Sequence, residues 1–261
     1  MHGGLRTKGI EKKSLPERPL ISVLTVVFNN VKTIEDTIKS VMGQTYDNVE
    51  YIIIDGGSTD GTIDIIKKYE GKIDYWVSEP DHGLYDAMNK GIAGSKGEWI
   101  HILNSDDYYI NDSVLQNVVP YLQEPGKQFY YFAMNLENKG TVTVQKYPFN
   151  VLNYLKLFYS AYLPHPTMFI AREQYHTAGV FDIKFKIAAD HDLILRLCRC
   201  YKPIYVDIPI VLMRGGGLSS LDQTKTFRDF RDVTIKNKFP WLLAYFIFWF
   251  KKYKYYLKKY V

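Results

Sequence analysis

Two adjacent carboxylates close the stretch Asn104-Ser105-Asp106-Asp107, directly after the apolar run Trp99-Ile100-His101-Ile102-Leu103. The run reads as a buried strand, and open α/β sheets bind ligands at the edge where their parallel strands end. Mg2+ and Mn2+ take oxygen ligands, commonly one or two carboxylates with substrate phosphates completing the shell. The motif therefore suggests a metal-diphosphate site, although Ser-Asp-Asp after a strand is also ordinary turn and capping chemistry. A second acidic pair, Asp190 and Asp192, opens the helical spacing of Leu193, Ile194 and Leu197. Carboxylates are favoured at a helix N-terminus, so capping explains these two as readily as catalysis does. His165, between Pro164 and Pro166, is either a satisfied structural side chain or a group near an acceptor or base. Arg214, ahead of Gly215-Gly216-Gly217-Leu218-Ser219-Ser220, is either a loop cation that folds over a diphosphate or part of a flexible surface connection. His82, in a turn, and His101, inside a strand, carry no ligand role.

Such side chains need a frame, and the apolar pattern supplies one. Ile21 to Phe28 is a β-branched run that reads as a buried first strand, followed by a helical pattern in Ile34, Ile38, Val41 and Met42. Tyr51-Ile52-Ile53-Ile54 is a second strand, ending in Asp55-Gly56-Gly57-Ser58-Thr59-Asp60-Gly61. Thr59 or Asp60 caps the helix over Ile63, Ile66 and Tyr69. Tyr75-Trp76-Val77 leads through Ser78-Glu79-Pro80-Asp81-His82-Gly83 into a helix from Tyr85 to Ala93. Strand and helix alternate about every twenty residues, which implies βαβ units, an α/β class and a mostly parallel sheet flanked by helices. Asp55 stands at a strand's carboxyl end, where a nucleoside would lie. The turn Phe28-Asn29-Asn30-Val31 has no glycine, so a dinucleotide fingerprint is absent there, and no G-x-x-x-x-G-K-[ST] occurs.

Four motifs in order carry a resemblance: Thr25-Val26-Val27-Phe28-Asn29, Asp55-Gly56-Gly57-Ser58-Thr59-Asp60, Asp81-His82-Gly83-Leu84-Tyr85-Asp86-Ala87-Met88-Asn89-Lys90-Gly91, and Leu103-Asn104-Ser105-Asp106-Asp107. Over roughly residues 20 to 215 the chain resembles a family 2 glycosyltransferase of GT-A fold. It is most similar to bacterial members that build O-antigen, capsule and exopolysaccharide. The resemblance implies a nucleotide-sugar half over 20–115 and an acceptor half over 116–215. It implies that Thr25, Val27 and Asn29 grip base and ribose, that Asp55 reads the base, and that Asn89 and Lys90 line the donor site near ribose and phosphates. The family's metal motif aligns with Asn104-Ser105-Asp106. This implies Asp106 as direct ligand for Mn2+ or Mg2+, Asp107 as a compensating carboxylate, and an amide at Asn104 for a ribose hydroxyl. Asp190 falls at the second residue of the family's Glu-Asp motif, the general base, with Ala189 where a Glu is usual. Asp192 and His165 fall on the acceptor side.

The implied chemistry is a direct, inverting displacement. A metal offsets the charge developing on a departing diphosphate, and a single carboxylate deprotonates the acceptor. A glycosidase instead needs a carboxyl pair flanking the bond. The implied donor is a UDP-sugar, with a GDP-sugar as the other candidate, and the implied acceptor is a lipid-linked saccharide. Two rival readings are a nucleotide-sugar-binding protein without catalysis and a membrane assembly partner of the same pathway.

With 261 residues and 46% hydrophobic composition, the chain can bury a large core. Cys198 and Cys200, one residue apart, suit neither an ordinary disulfide nor a zinc knuckle, which points to a reducing cytoplasm. Residues 1–19 hold Arg6, Lys8, Lys12, Lys13 and Arg18 without a signal-peptide core, and read as a disordered basic arm. Over 216–261 a glycine-rich loop precedes an aromatic and basic tail, Trp241 to Phe250 and then Lys251, Lys252, Lys254, Lys258 and Lys259. The apolar part is too short to cross a bilayer, which takes about 20 residues. An amphipathic helix at an anionic membrane surface, on the inner face of a bacterial cytoplasmic membrane, is the expected role. A terminal helix packed on its own core is the alternative. No nucleic-acid module accompanies the basic tail.

Overall fold

The computed structural model describes residues 1–123, 128–150, 156–158, 160, 162–216 and 222–260. The strands are β1 (His2–Gly3), β2 (Ile21–Val27), β3 (Val49–Asp55), β4 (Tyr75–Ser78), β5 (Trp99–Ile102), β6 (Tyr108–Tyr109), β7 (Gln128–Asn138), β8 (Thr141–Gln145), β9 (Met168–Ala171) and β10 (Lys202–Arg214). They form one sheet in the order β1-β4-β3-β2-β5-β9-β7-β10-β6, with β8 paired to β7. β2 runs parallel to β3 and β5, β3 to β4, and β10 to β7. β9 is antiparallel to both β5 and β7, so β7 and β10 point the same way as β2 to β5. β2 to β5, β7 and β10 therefore end at one edge of the sheet, the geometry expected of a mostly parallel α/β sheet.

The helices are α1 (Ile34–Met42), α2 (Thr62–Lys68), α3 (Leu84–Gly94), α4 (Val114–Leu122), α5 (Arg172–Ala178), α6 (Ala189–Cys200), α7 (Gln223–Lys236) and α8 (Trp241–Tyr260). They cover both faces, so the strands are apolar on each side. Val23, Tyr51 and Ile53 face one core with Ile34, Ile38 and Val41 of α1 and Val114, Leu115 and Val118 of α4. Leu24, Ile52 and Ile54 face the other, with Met88 and Ile92 of α3 and Leu193, Ile194 and Leu197 of α6. This is strand period 2 meeting helix period 3.6, and each fully buried Ile or Leu contributes roughly 1.5–3 kcal/mol. α3 lies close on the sheet because Gly91 has no side chain. A Cβ there would meet Leu24 at 3.2 Å and Ile54 at 3.4 Å.

The expectation of a disordered arm over 1–19 is corrected. β1 adds to β4 through His2 opposite Val77 and Gly3 opposite Trp76. Arg6 pairs with Glu50, and Lys12 reaches Asp74 at 3.0 Å. Glu50 and Asp74 are each only 2% exposed, so Arg6 and Lys12 of the arm are the counter-charges of carboxylates buried in the first half. Charge clustering that looks solvated in the sequence is here paired and ordered.

At the other end the tail is a helix packed on the rest of the chain along one face. α8 packs on α7 through buried Ala244 and Phe248, with the Arg231 guanidinium 4.7 Å from the Tyr245 ring and 5.0 Å from that of Phe248. Its other faces expose Trp241, Leu242, Phe246, Trp249 and Phe250. Among the described residues no helix is long and apolar enough to cross a membrane. Residues Gly217 to Ser220 of the glycine-rich loop and the final Val261 lie outside the described residues.

Candidate active site

The loops that follow β2, β3, β4 and β5 gather at the common strand-end edge and lace together. Asn29, at φ 48°, accepts a hydrogen bond from the Thr59 amide at 2.8 Å and donates its own amide to Ser58 at 2.7 Å. Asparagine tolerates that left-handed conformation better than most residues. The Asn30 amide group donates to the Ser105 hydroxyl at 2.9 Å, and the Thr33 hydroxyl to the Ser105 carbonyl at 2.9 Å. Gly56 lets the Asp81 side chain lie close: a Cβ there would fall 2.5 Å from Asp81 Oδ2, and the carboxylate would have to shift.

Several residues implied to grip the donor are already committed elsewhere. Thr25 is fully buried and accepts the Tyr51 hydroxyl at 3.1 Å, and Val27, the last residue of β2, is 4% exposed, so both side chains lie in the packed interior. Asp55 is fully buried. Its carboxylate accepts the amides of Gly57 and Ser58 and the hydroxyls of Ser58 and Ser78, which makes it the fastening of its own loop rather than a free base reader. Asn89 clamps the backbone of Phe181, donating to its carbonyl at 2.9 Å and accepting its amide at 3.0 Å. Lys90 is held by Glu79 at 2.7 Å and by the Pro80 carbonyl at 3.2 Å. Asn29 and Ser105 act in the lacing just described.

The Asn104-Asp107 segment behaves differently. Asp107 is 1% exposed, and its oxygens accept Asn104 Nδ2 at 3.0 Å and the Arg214 amide at 3.3 Å. Burial, and then the Asp106 charge, push its pKa up to about 7. With the side chain buried and each oxygen accepting one hydrogen bond, Asp107 organises the loop. Asp106 keeps its side chain open to the edge, its pKa raised by burial and lowered in part by Arg214. Asn104 Oδ1 is buried without a hydrogen-bond partner, and such an acceptor is costly unless a ligand supplies a donor or a cation. Among the described residues no group of three or more His, Cys, Asp or Glu encloses a metal. A hard cation that takes most of its ligands from phosphates and water needs only the one or two oxygens present here, so Asp106 with its neighbour Asn104 fits one.

Arg214, which ends β10, reaches the same edge. Its guanidinium donates to the Asp106 carbonyl at 3.1 Å and to Asp36 at 2.8 Å, and lies 5.0 Å from the Tyr108 ring. It is a fixed brace of the carboxylate loop rather than a side chain on a swinging connection.

Asp190 opens α6, the helix that runs back from this edge before β10 begins. Part of its surface stays accessible although the carboxylate is closely surrounded, and burial raises its pKa. Oδ1 accepts the His191 amide at 2.8 Å and faces the Tyr85 hydroxyl at 3.2 Å. Asp192 is different. It is fully buried, with Arg196 at 2.9 Å, Lys236 at 3.0 Å and Asn237 Nδ2 at 2.8 Å, and so ties α6 to α7 instead of facing an acceptor. His165 is 6% exposed, edge-on to Phe181 at 5.4 Å, and neutral because burial lowers its pKa to about 4. The neighbouring turn is pinned to β5 by His101, whose Nε2 lies 2.9 Å from the Pro166 carbonyl. His165 thus packs behind Phe181, the ring on which Tyr85 stacks.

Next to Tyr85 and Ile187, the two residues joined by the Tyr85 hydroxyl, lies a cavity of about 450 Å3 that is also lined by His82, Phe185, Lys186 and Lys225; neither Asp190 nor Asp106 is among its lining residues. A larger hollow of about 840 Å3 opens at the opposite edge around Glu17, Glu98 and Arg172, away from every motif. Two residues escaped the sequence reading. Tyr85 touches the acidic residue of α6. Phe28, 62% exposed, stands where β2 ends, beside Gly56. An aromatic ring left exposed at the end of an otherwise buried strand was the available signal for Phe28. For Tyr85 there was none beyond its motif.

Comparison with known proteins agrees with this geometry. A family model described as Glycosyl transferase family 2 matches residues 22–178. An uncharacterised glycosyltransferase of Mycobacterium tuberculosis is 33% identical over 227 residues, 85% of this chain and 86% of the relative. A PGL/p-HBAD biosynthesis glycosyltransferase of Mycobacterium bovis is 25% identical over 186 residues, 68% of this chain and 69% of its own. Among solved structures of the same GT-A fold, S. aureus TarS 1-349 in complex with UDP-GlcNAc superposes with a TM-score of 0.66 at 19% identity, over 87% of this chain and 70% of that one. The mannosyltransferase PcManGT from Pyrobaculum calidifontis, in complex with GDP-Man and Mn2+, gives 0.63 at 17% identity, over 84% and 64%.

Proposed function

The chain belongs to glycosyl transferase family 2, and from that premise we propose that it moves a hexosyl unit, with inversion, from a nucleoside-diphosphate sugar to a lipid-linked saccharide. The pathway would be bacterial surface polysaccharide synthesis of O-antigen or capsule type. The observation that carries the reading is the shared edge: the Asp106 loop after β5 and the Asp190 turn before α6 lie where the parallel strands end. A UDP-sugar is the favoured donor and a GDP-sugar the second candidate, since similar folds hold UDP-GlcNAc and GDP-Man.

Asp106, with Asn104 Oδ1 beside it, would hold Mn2+ or Mg2+. When bound, the cation offsets charge on the diphosphate. Arg214 braces this loop and adds a fixed positive charge. Phe28 offers an exposed ring for a nucleobase to stack on, a part that fully hydrogen-bonded Asp55 does not take. Asp190 removes the proton from the acceptor hydroxyl as it attacks the anomeric carbon. Its raised pKa suits a group that must accept a proton and release it. The cavity beside Tyr85 and Ile187 is where the acceptor would stand, its apolar walls against the sugar ring and its lysines at the mouth.

The exposed aromatic side of α8 would rest in the headgroup layer of the inner membrane face, next to an acceptor that is itself membrane-bound. The test is a thermal-shift panel of UDP and GDP with and without Mn2+, followed by the matching sugars. A Mn2+-dependent shift with one nucleotide is expected, and no shift with either would reject the donor assignment. Detectable nucleotide-sugar turnover separates this reading from a non-catalytic binding protein.

A further inference from the structure

Helix α3 turns Tyr85 and Asn89, one helical turn apart, toward the 181–190 segment. The Tyr85 ring is 7% exposed and stacks on Phe181 with centroids 5.3 Å apart and planes at 28°. Asn89 clamps the same Phe181 through its backbone at 2.9 and 3.0 Å. From this seat the Tyr85 hydroxyl lies 2.6 Å from the Ile187 carbonyl and 3.2 Å from Asp190 Oδ1. Oδ1 also accepts the His191 amide, whereas Oδ2 accepts no hydrogen bond from a described residue.

We propose that Tyr85 is the positioning residue of Asp190: anchored on the Ile187 carbonyl, its hydroxyl fixes Oδ1 so that Oδ2 faces the incoming alcohol, and it favours the ionised carboxylate. The proposal rests on Asp190 acting as the base. A phenol has one proton and here two acceptors. With Asp190 charged, the proton is drawn toward the carboxylate in a charge-assisted bond. Once Oδ2 has taken the proton of the acceptor hydroxyl, Oδ1 is a weaker acceptor and the phenolic proton falls to Ile187. A hydrogen bond to the charged form of an acid favours that form.

The surroundings leave Tyr85 this role. Among the described residues it is the only side chain that donates to Asp190. Lys186 Nζ is turned to the His82 carbonyl at 3.2 Å. Asp86, on α3, accepts the His82 amide. On α6, His191 is kept neutral by burial, and Asp192 is matched by Arg196 and Lys236. His165, behind Phe181, is neutral too.

The test is a carboxyl carbon-13 NMR titration of the full chain labelled at aspartate, in wild type, Tyr85→Phe and Asn89→Ala. The Asp190 signal is identified by its loss in Asp190→Asn. Tyr85→Phe keeps the ring and its stack. It should raise the Asp190 midpoint by about one pH unit, a tenfold change in the acid constant, and move the acid limb of turnover the same way. Asn89→Ala loosens the seat without touching the hydroxyl, so it should lower thermal stability and leave the midpoint where it was. An Asp190 midpoint unmoved by Tyr85→Phe, or moved equally by both variants, would overturn the proposal. Near-normal turnover by Asp190→Asn would instead remove the base assignment, a failure the titration tells apart.

Discussion

Asp106 and Arg214 stand 108 residues apart in the chain yet meet at 3.1 Å, guanidinium to backbone carbonyl. That contact brings the end of β10 onto the loop after β5 and makes one edge of two halves. Of the two adjacent carboxylates there, Asp107 is buried and Asp106 is half-buried, and burial together with the Asp106 charge raises the Asp107 pKa.

Turnover should rise with pH through an acid limb above the ordinary aspartate value of 3.8. Burial raises the Asp190 pKa, so the carboxylate becomes a competent base only once the pH passes that raised value. A kcat/KM profile checks this, and an acid limb at or below 3.8 would contradict it.

Metal-free protein should lose stability as pH rises from about 4 toward neutrality. Asp107 has a folded pKa of about 7 against 3.8 unfolded. The folded state therefore holds the extra proton between these values, and its contribution, complete below 3.8, is gone above 7. Asp107→Asn should flatten this part of a Tm-against-pH curve; an unchanged slope would count against the burial argument.

Asn104→Asp should tighten Mn2+ binding and weaken the metal-free fold. It replaces the amide that donates to Asp107 at 3.0 Å by a third carboxylate. Calorimetric titration with Mn2+ in the presence of the selected nucleotide, beside a melting curve without metal, should show the two effects with opposite sign.

Asp192→Ala should cost about 1–3 kcal/mol, because it leaves the buried Asn237 amide group short of an acceptor, while Arg196 keeps the Ala178 and Val180 carbonyls and Lys236 keeps Asp182. Chemical denaturation measures the loss. Folded mutant should retain its affinity for the acceptor, since Asp192 faces α7 and not the cavity.

Glutamate at Trp241, Phe246 and Trp249 together should abolish binding to vesicles of phosphatidylglycerol and phosphatidylcholine while leaving Tm nearly unchanged. All three side chains are exposed, and the packing of α8 on α7 uses Ala244 and Phe248 instead. Undiminished co-sedimentation would reject the membrane role of α8.

The first half of this fold was legible because its signals are local. β-branched runs mark β2 and β3, apolar residues at helical spacing mark α1, and turn-rich loops stand between them. Asp106 and Asp190 stood out through motif order, which names a candidate chemistry for a position but not what the side chain touches. What stayed hidden is tertiary. Tyr85 and Asp190 are 105 residues apart and no period links them. The arm over 1–19 looked unpaired because nothing in Glu50 or Asp74 announces that each will be buried and need a cation. Thr25, Asp55, Asn89 and Lys90 were assigned to a ligand, whereas each already binds a neighbouring residue, which only the packed loops disclose.

The account is tested most directly by turnover of the nucleotide sugar selected in the thermal-shift panel, measured with Asp190→Asn and Asp106→Asn beside wild type. Asp190→Asn should keep the Mn2+-dependent nucleotide shift and lose at least about a hundredfold in turnover, while Asp106→Asn should lose the Mn2+-dependent shift itself. Sugar transfer by Asp190→Asn at near wild-type rate, or an unaltered Mn2+ response in Asp106→Asn, would contradict it.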